Sequence, residues 1–156
     1  MADDRPGTPA NAPRIQPAPE AGIGPRPARG PVVVVDGDRA ECSRACRILG
    51  DAGFEVISAG DGRAALRQVF ATSETPSLLL CAIELPGMSG IELAARLCAA
   101  RPGVQVILTS PDPATVERAR RHTPLVRAVL LKPYPTDALR AAAAEALGHE
   151  ALGPEA

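Results

Sequence analysis

Residues 77–90 read Ser77-Leu78-Leu79-Leu80-Cys81-Ala82-Ile83-Glu84-Leu85-Pro86-Gly87-Met88-Ser89-Gly90, an apolar run from Leu78 to Ile83 that stops at an acid and a Pro-Gly turn. A short apolar run bounded by turn residues is the pattern of a strand covered on both sheet faces. In open α/β sheets the loops leaving the carboxyl ends of parallel strands converge on one crevice, where ligands and chemistry sit. The function of this chain is therefore expected around Ala82, Ile83 and Glu84.

Working outward, Val32 to Val35 is β-branched throughout, stiff at χ1 and suited to a strand, which Asp36-Gly37-Asp38 ends. The spacing of Cys42, Ala45, Leu49 and Ala52 predicts a helix over 38–52 with one buried face, closed by Gly53. Residues 54–58 alternate as a second strand, and Asp61-Gly62 opens a helix whose Ala65, Leu66, Val69 and Phe70 are expected to point inward. Beyond the central run, a helix over 90–100 carries Ile91, Ala94, Leu97 and Cys98 on its inner side. A strand over 104–108 finishes in Thr109-Ser110, and Pro111-Asp112-Pro113 starts a helix reaching about His122. A fifth strand over 128–131 precedes Lys132-Pro133-Tyr134-Pro135 and an Ala-rich helix over 136–147. Strand and helix alternate five times, which implies a parallel sheet with right-handed crossovers, a doubly wound α/β sandwich.

The chain has 156 residues, one domain's length plus tails. Residues 1–30 contain seven prolines and only Ile15 and Ile23 as large aliphatics, so a disordered tail is expected there, with the folded domain at 31–147 and a short tail at 148–156. No output domain is expected after the last helix. Seventeen basic against 18 acidic residues give no electrostatic case for nucleic acid or a membrane surface. Without a long apolar span or a signal-peptide core, the expected location is the cytoplasm. Cys42, Cys46, Cys81 and Cys98 form no CxxC pair, and with two histidines they do not suggest a zinc site; free thiols packed as small hydrophobes are expected. Cys42 and Cys46 lie one helical turn apart and in principle could form a redox pair, but nothing around them in the sequence supports that chemistry.

Four strand ends meet at the carboxyl edge: Asp36 and Asp38 from the first, Ala82 to Glu84 from the third, and Thr109 with Lys132 from the fourth and fifth. Sixteen of the 17 basic residues are arginine, yet the end of an apolar strand carries the only lysine. An ammonium is a compact point charge suited to gripping one oxygen, whereas a guanidinium is a planar fork. A chance lysine at a strand end is the plainer reading; followed by Pro133 and opposite Asp36, Lys132 looks like part of a site. It is expected to point at Asp36 in a partly solvated pair worth about 0–1 kcal/mol.

Taken together, VVVVDGD at 32–38, GFEVISAGDGRAAL at 53–66, LPGMSGIEL at 85–93, VILTS at 106–110 and LLKPY at 130–134 resemble the receiver domain of bacterial two-component response regulators. The resemblance implies a flavodoxin-like receiver fold, with a five-stranded sheet in the order 2-1-3-4-5 and helices on both faces. In that family a phosphoryl group passes from a histidine kinase to an aspartate after the third strand, beside a magnesium ion. Carried over, Asp36 matches the first acid, Thr109 the hydroxyl and Lys132 the lysine, while the carbonyl of Glu84 takes the backbone metal-ligand position. The second acid is Gly37, and the phosphoacceptor position is Ala82. Aspartyl transfer needs a carboxylate nucleophile, and magnesium usually needs one or two carboxylates besides the phosphate. No transfer at Ala82 is expected, and magnesium binding should be weak or absent, with Asp36 and the Glu84 carbonyl as a residual site. The aromatic switch position is Val129, and Thr123-Pro124-Leu125-Val126 replaces the family's usual Gly-Ala pair. The remaining basic residues of that face, Arg118, Arg120, Arg121 and Arg127, are read as a solvated surface.

The expected function is a single-domain, non-enzymatic pseudo-receiver in a phosphorelay. It would act by binding a histidine kinase, a phosphotransfer protein or another receiver, with a homodimer left open. The alternative is a sensor of small ligands or anions that grips them with Lys132, Thr109 and Ser110. An enzyme using Cys81 or Thr109 as nucleophile ranks below both, since His122 and His149 lie outside the motif and no general base adjoins either residue.

Overall fold

The computed structural model describes residues 30–123 and 126–148. Apart from Gly30, the N-terminal tail expected at 1–30 lies outside the described residues, as do Pro124, Leu125, His149 and the remainder of the C-terminal tail. Strands β1 (Val32–Val35), β2 (Val56–Ala59), β3 (Leu78–Ala82), β4 (Gln105–Ser110) and β5 (Val126–Leu131) alternate with helices α1 (Arg39–Asp51), α2 (Gly62–Phe70), α3 (Gly90–Ala100), α4 (Pro113–His122) and α5 (Thr136–Leu147). The sheet runs β2-β1-β3-β4-β5 and every pairing is parallel.

Side chains alternate across a strand, so a continuously apolar strand supplies two cores at once. Val33, Val35, Leu79, Cys81, Val106 and Leu108 face the layer holding Ala65 and Val69 of α2, Leu93, Ala94 and Leu97 of α3, and Val116 of α4. Val32, Val34, Leu78, Leu80 and Ile107 face the opposite layer, with Ala45, Ile48 and Leu49 of α1 and Leu139, Ala143 and Leu147 of α5. The polar chain turns are thereby confined to the two edges, and the carboxyl edge collects the ends of β1, β3, β4 and β5.

The starts of α1 to α4 are capped by side chains: Asp61 accepts from Ala64 N at 2.8 Å, and Ser89 from Glu92 N at 3.1 Å. Helix α5 ends at Gly148, whose left-handed φ of 76° suits a residue without Cβ. Three expectations are corrected. Phe70 is 52% exposed, because it is the last residue of α2 and its ring lies under the Arg101 guanidinium, 5.6 Å from the centroid. Ile91 is 38% exposed while Leu93 is buried: it precedes Leu93 by two residues, roughly 200° round the helix. Strand β5 starts at Val126 rather than 128, since the register steps from Val106–Val126 to Ile107–Ala128. That step leaves Arg127 as the extra residue of a bulge.

The loop after β3 is pinned where it turns. Gly90 N donates to Ile83 O at 2.8 Å, and a Cβ at Gly90 would lie 2.1 Å from Ala82 O. Gly90 is therefore required by close backbone approach. Gly90→Ala is expected to lower stability by about 1–3 kcal/mol, as overpacking does. Urea unfolding checks this, with a shifted midpoint and an unchanged m-value.

Candidate functional site

Parallel pairing brings the chain ends of β1, β3, β4 and β5 together before any side chain acts. Ala82 is in register with Thr109, Ile83 N donates to Thr109 O at 2.8 Å, and Lys132 N donates to Ser110 O at 2.8 Å. Lys132 thus leaves β5 at a fixed height above the sheet, directly before the cis Lys132–Pro133 bond.

From there its ammonium spans the crevice and donates to Asp36 Oδ2 at 2.8 Å. The expected direction of the side chain holds, and the pair is part-buried. The two side chains are only 13% and 11% exposed. The second oxygen, Asp36 Oδ1, accepts from Asp38 N at 2.9 Å, so each carboxylate oxygen has a donor and the charge is offset by the ammonium. Desolvation offsets part of the attraction in such a pair, but removing one member leaves the other charge poorly hydrated.

Asp38 is corrected as a crevice residue. Its carboxylate turns away to cap α1, accepting from Ala40 N at 3.0 Å and Glu41 N at 3.1 Å. The Asp38-x-x-Glu41 spacing is a helix-start signature and was the available signal. Gly37 is exposed and brings no side chain; Ala82, 3% exposed, puts a methyl group at the end of β3. Thr109 is buried beside it at 2%.

Glu84 makes a contact that sequence reasoning missed. Its Oε2 accepts from Ser110 Oγ at 2.8 Å, and Ser110 Oγ in turn accepts from Asp112 N at 3.1 Å. Asp112 caps α4 through Ala114 N and Thr115 Oγ1. The loop after β3 is thereby linked to the start of α4 through side chains. A second missed feature flanks the crevice: Arg44 of α1 donates to Tyr134 O at 2.7 Å and lies over its ring at 5.0 Å. Burial pushes the Tyr134 hydroxyl up to about 12, so it stays protonated at neutral pH. Val129 is 3% exposed and packed in the core, while its carbonyl accepts from Arg120 at 2.9 Å. Of the basic face, Arg120 is engaged in this way, and Arg121 lies 3.8 Å from Glu117.

Cys81 does not suit nucleophilic work. It is fully buried, burial raises its pKa strongly, and its thiol donates to Gly90 O at 3.6 Å. Among the described residues no three His, Cys, Asp or Glu side chains come together as a metal-holding group.

Lys132→Met strands the Asp36 carboxylate and is expected to cost about 1–3 kcal/mol, the penalty for an unpaired buried polar group. Adding Asp36→Asn should recover part of that loss. Urea denaturation of the two single variants and the double variant checks the coupling. Additive losses would mean that the pair is not energetically joined.

The geometry now has a family to be set against. The family model of the response regulator receiver domain matches residues 32–144. The chain is 40% identical over 80 residues to the Caulobacter vibrioides protein-glutamate methylesterase/protein-glutamine glutaminase 2, covering 51% of this chain and 22% of that protein. It is 28% identical over 118 residues to the Escherichia coli transcriptional regulatory protein ZraR, covering 76% of this chain and 26% of that one. The chain therefore matches only about a quarter of the length of these curated relatives. A solved response regulator receiver domain protein of Methanospirillum hungatei superposes with a TM-score of 0.66 at 25% identity, covering 78% of this chain and 95% of that one. The five-stranded 2-1-3-4-5 sheet, the acid and lysine facing each other across its carboxyl edge, and the match over residues 32–144 agree: this chain belongs to the response regulator receiver domain family of two-component signalling.

Proposed function

We propose that this receiver domain acts in its two-component pathway without accepting a phosphoryl group itself, through contact with a protein partner: a histidine kinase, a phosphotransfer protein or another receiver. The observation that carries the reading is the occupied crevice. Lys132 is satisfied by Asp36 at 2.8 Å, and the β3 terminus opposite presents the Ala82 methyl instead of a carboxylate. A methyl group cannot attack phosphorus.

The donor set does not fit a magnesium ion. Asp36 is neutralised by Lys132, Asp38 is spent on α1, and the Glu84 carboxylate is held by Ser110. Mg²⁺ retains waters and asks for one or two free carboxylates. An anion would have to displace Asp36 from the chain's only lysine, so the anion-sensor reading is the less favoured one.

Residues 31–147 are taken as the folded unit. Removing residues 1–29 is expected to leave the melting temperature unchanged; a loss of several degrees would mean that the removed segment packs on the domain.

With acetyl phosphate and Mg²⁺, intact-mass spectra of the native chain should show no phosphoryl adduct, whereas Gly37→Asp with Ala82→Asp should acquire one. Space permits the first change, since a Cβ at Gly37 would come no nearer than 3.4 Å to Pro86 Cδ. The double variant should be less stable without metal, because carboxylates about 5 Å apart repel by about 3 kcal/mol at an effective dielectric near 20, and Mg²⁺ should restore part of the loss. An adduct on an aspartate of the native crevice would overturn the reading.

A further inference from the structure

Cys42 and Cys46 stand one turn apart on α1, on the flank of the buried face. Both are half-buried and pack at the margin of the α1–α5 core layer. Side chains four residues apart on a helix lie on one face, so the two thiols of α1 are neighbours. One turn further along, Gly50 leaves the surface open: a Cβ there would meet nothing within 4 Å. The pair is thus close together, half-buried and beside open surface.

Helix geometry decides what the two sulfurs can do. Cβ atoms at i and i+4 stand about 5–6 Å apart, beyond the roughly 3.5–4.5 Å that a disulfide tolerates. Oxidation to a disulfide would need α1 to unwind. A metal ion bridging two sulfurs, with metal–sulfur bonds near 2.3 Å as for zinc thiolates, spans about 4.6 Å and needs no unwinding. Zinc itself wants four ligands, and among the described residues no third His, Cys, Asp or Glu joins the pair in a metal-holding group. Soft thiolates with only two donors select a soft monovalent ion instead.

We propose that Cys42 and Cys46 form a two-coordinate site for a soft monovalent metal ion, with Cu(I) as its representative. Binding is a ligand exchange: Cu(I) leaves its carrier, two S–H bonds are replaced by two S–Cu bonds, and two protons go to solvent, with no change of oxidation state. Burial and the neighbouring Cys46 and Asp36 push the Cys42 thiol up to about 11, so a thiophilic ion must displace its proton.

The test is an anaerobic titration of the reduced full chain with Cu(I) against a chromophoric Cu(I) chelator. One ion per chain is expected, with affinity falling about a hundredfold or more in Cys42→Ser and in Cys46→Ser, the loss of the second tethered donor. Cys98→Ser, on α3, should leave binding unchanged. Alkylation followed by mass mapping gives a second readout on the native chain, independent of whether the serine variants fold. Cu(I) should protect Cys42 and Cys46 and leave Cys98 reactive. Undiminished binding in folded Cys42→Ser, one ion shared by two chains, or protection located at Cys98 would each overturn the proposal.

Discussion

Every residue of β1 and β3 is buried, and this two-sided burial is the constraint on which the rest of the molecule depends. A strand with no solvent face must be covered above and below, so α1 and α5 take one side of the sheet and α2, α3 and α4 the other. Parallel order follows from the helical crossovers, and parallel order sends all strand ends that carry polar residues to the same edge. The crevice results from burying the strands and needs no additional folding instruction.

Within that edge, one charge pair sets the chemistry. Asp36 and Lys132 lie 96 positions apart in the chain yet meet at 2.8 Å, because β1 and β5 are held on either side of β3 and β4. At 13% and 11% exposure, neither charge is easily released to water, so a ligand must offer as much as the partner it displaces. The surface ion pair Arg96–Glu92, whose side chains are 58% and 51% exposed, differs in that either charge is hydrated when its partner is removed.

The loops around the crevice are tied by their own polar groups. Glu84 binds Ser110, Ser110 receives the amide of Asp112, and Asp112 caps α4. On the other side, Asp38 caps α1 and Arg44 clamps Tyr134 by its carbonyl and its ring. These contacts give Asp36, Asp38, Glu84 and Asp112 each a structural task.

The element order, the helix over Thr136–Leu147 and the convergence of Asp36, Ala82, Thr109 and Lys132 were legible in the sequence. Apolar runs and turn residues act locally, and parallel topology converts local strand ends into a shared edge. The direction of Lys132 was legible too, because Asp36 is the nearest anion that the motif leaves on that edge. The destination of a flexible side chain was not. Asp38 could serve the crevice or its own helix, and the nearby amides of Ala40 and Glu41 won because a cap closes at short range. Glu84 found Ser110 across 26 positions, Phe70 stayed exposed under Arg101, and the bulge at Arg127 moved the start of β5. Each of these depends on how two separate elements are set against each other, and so only the packed tertiary structure decided them.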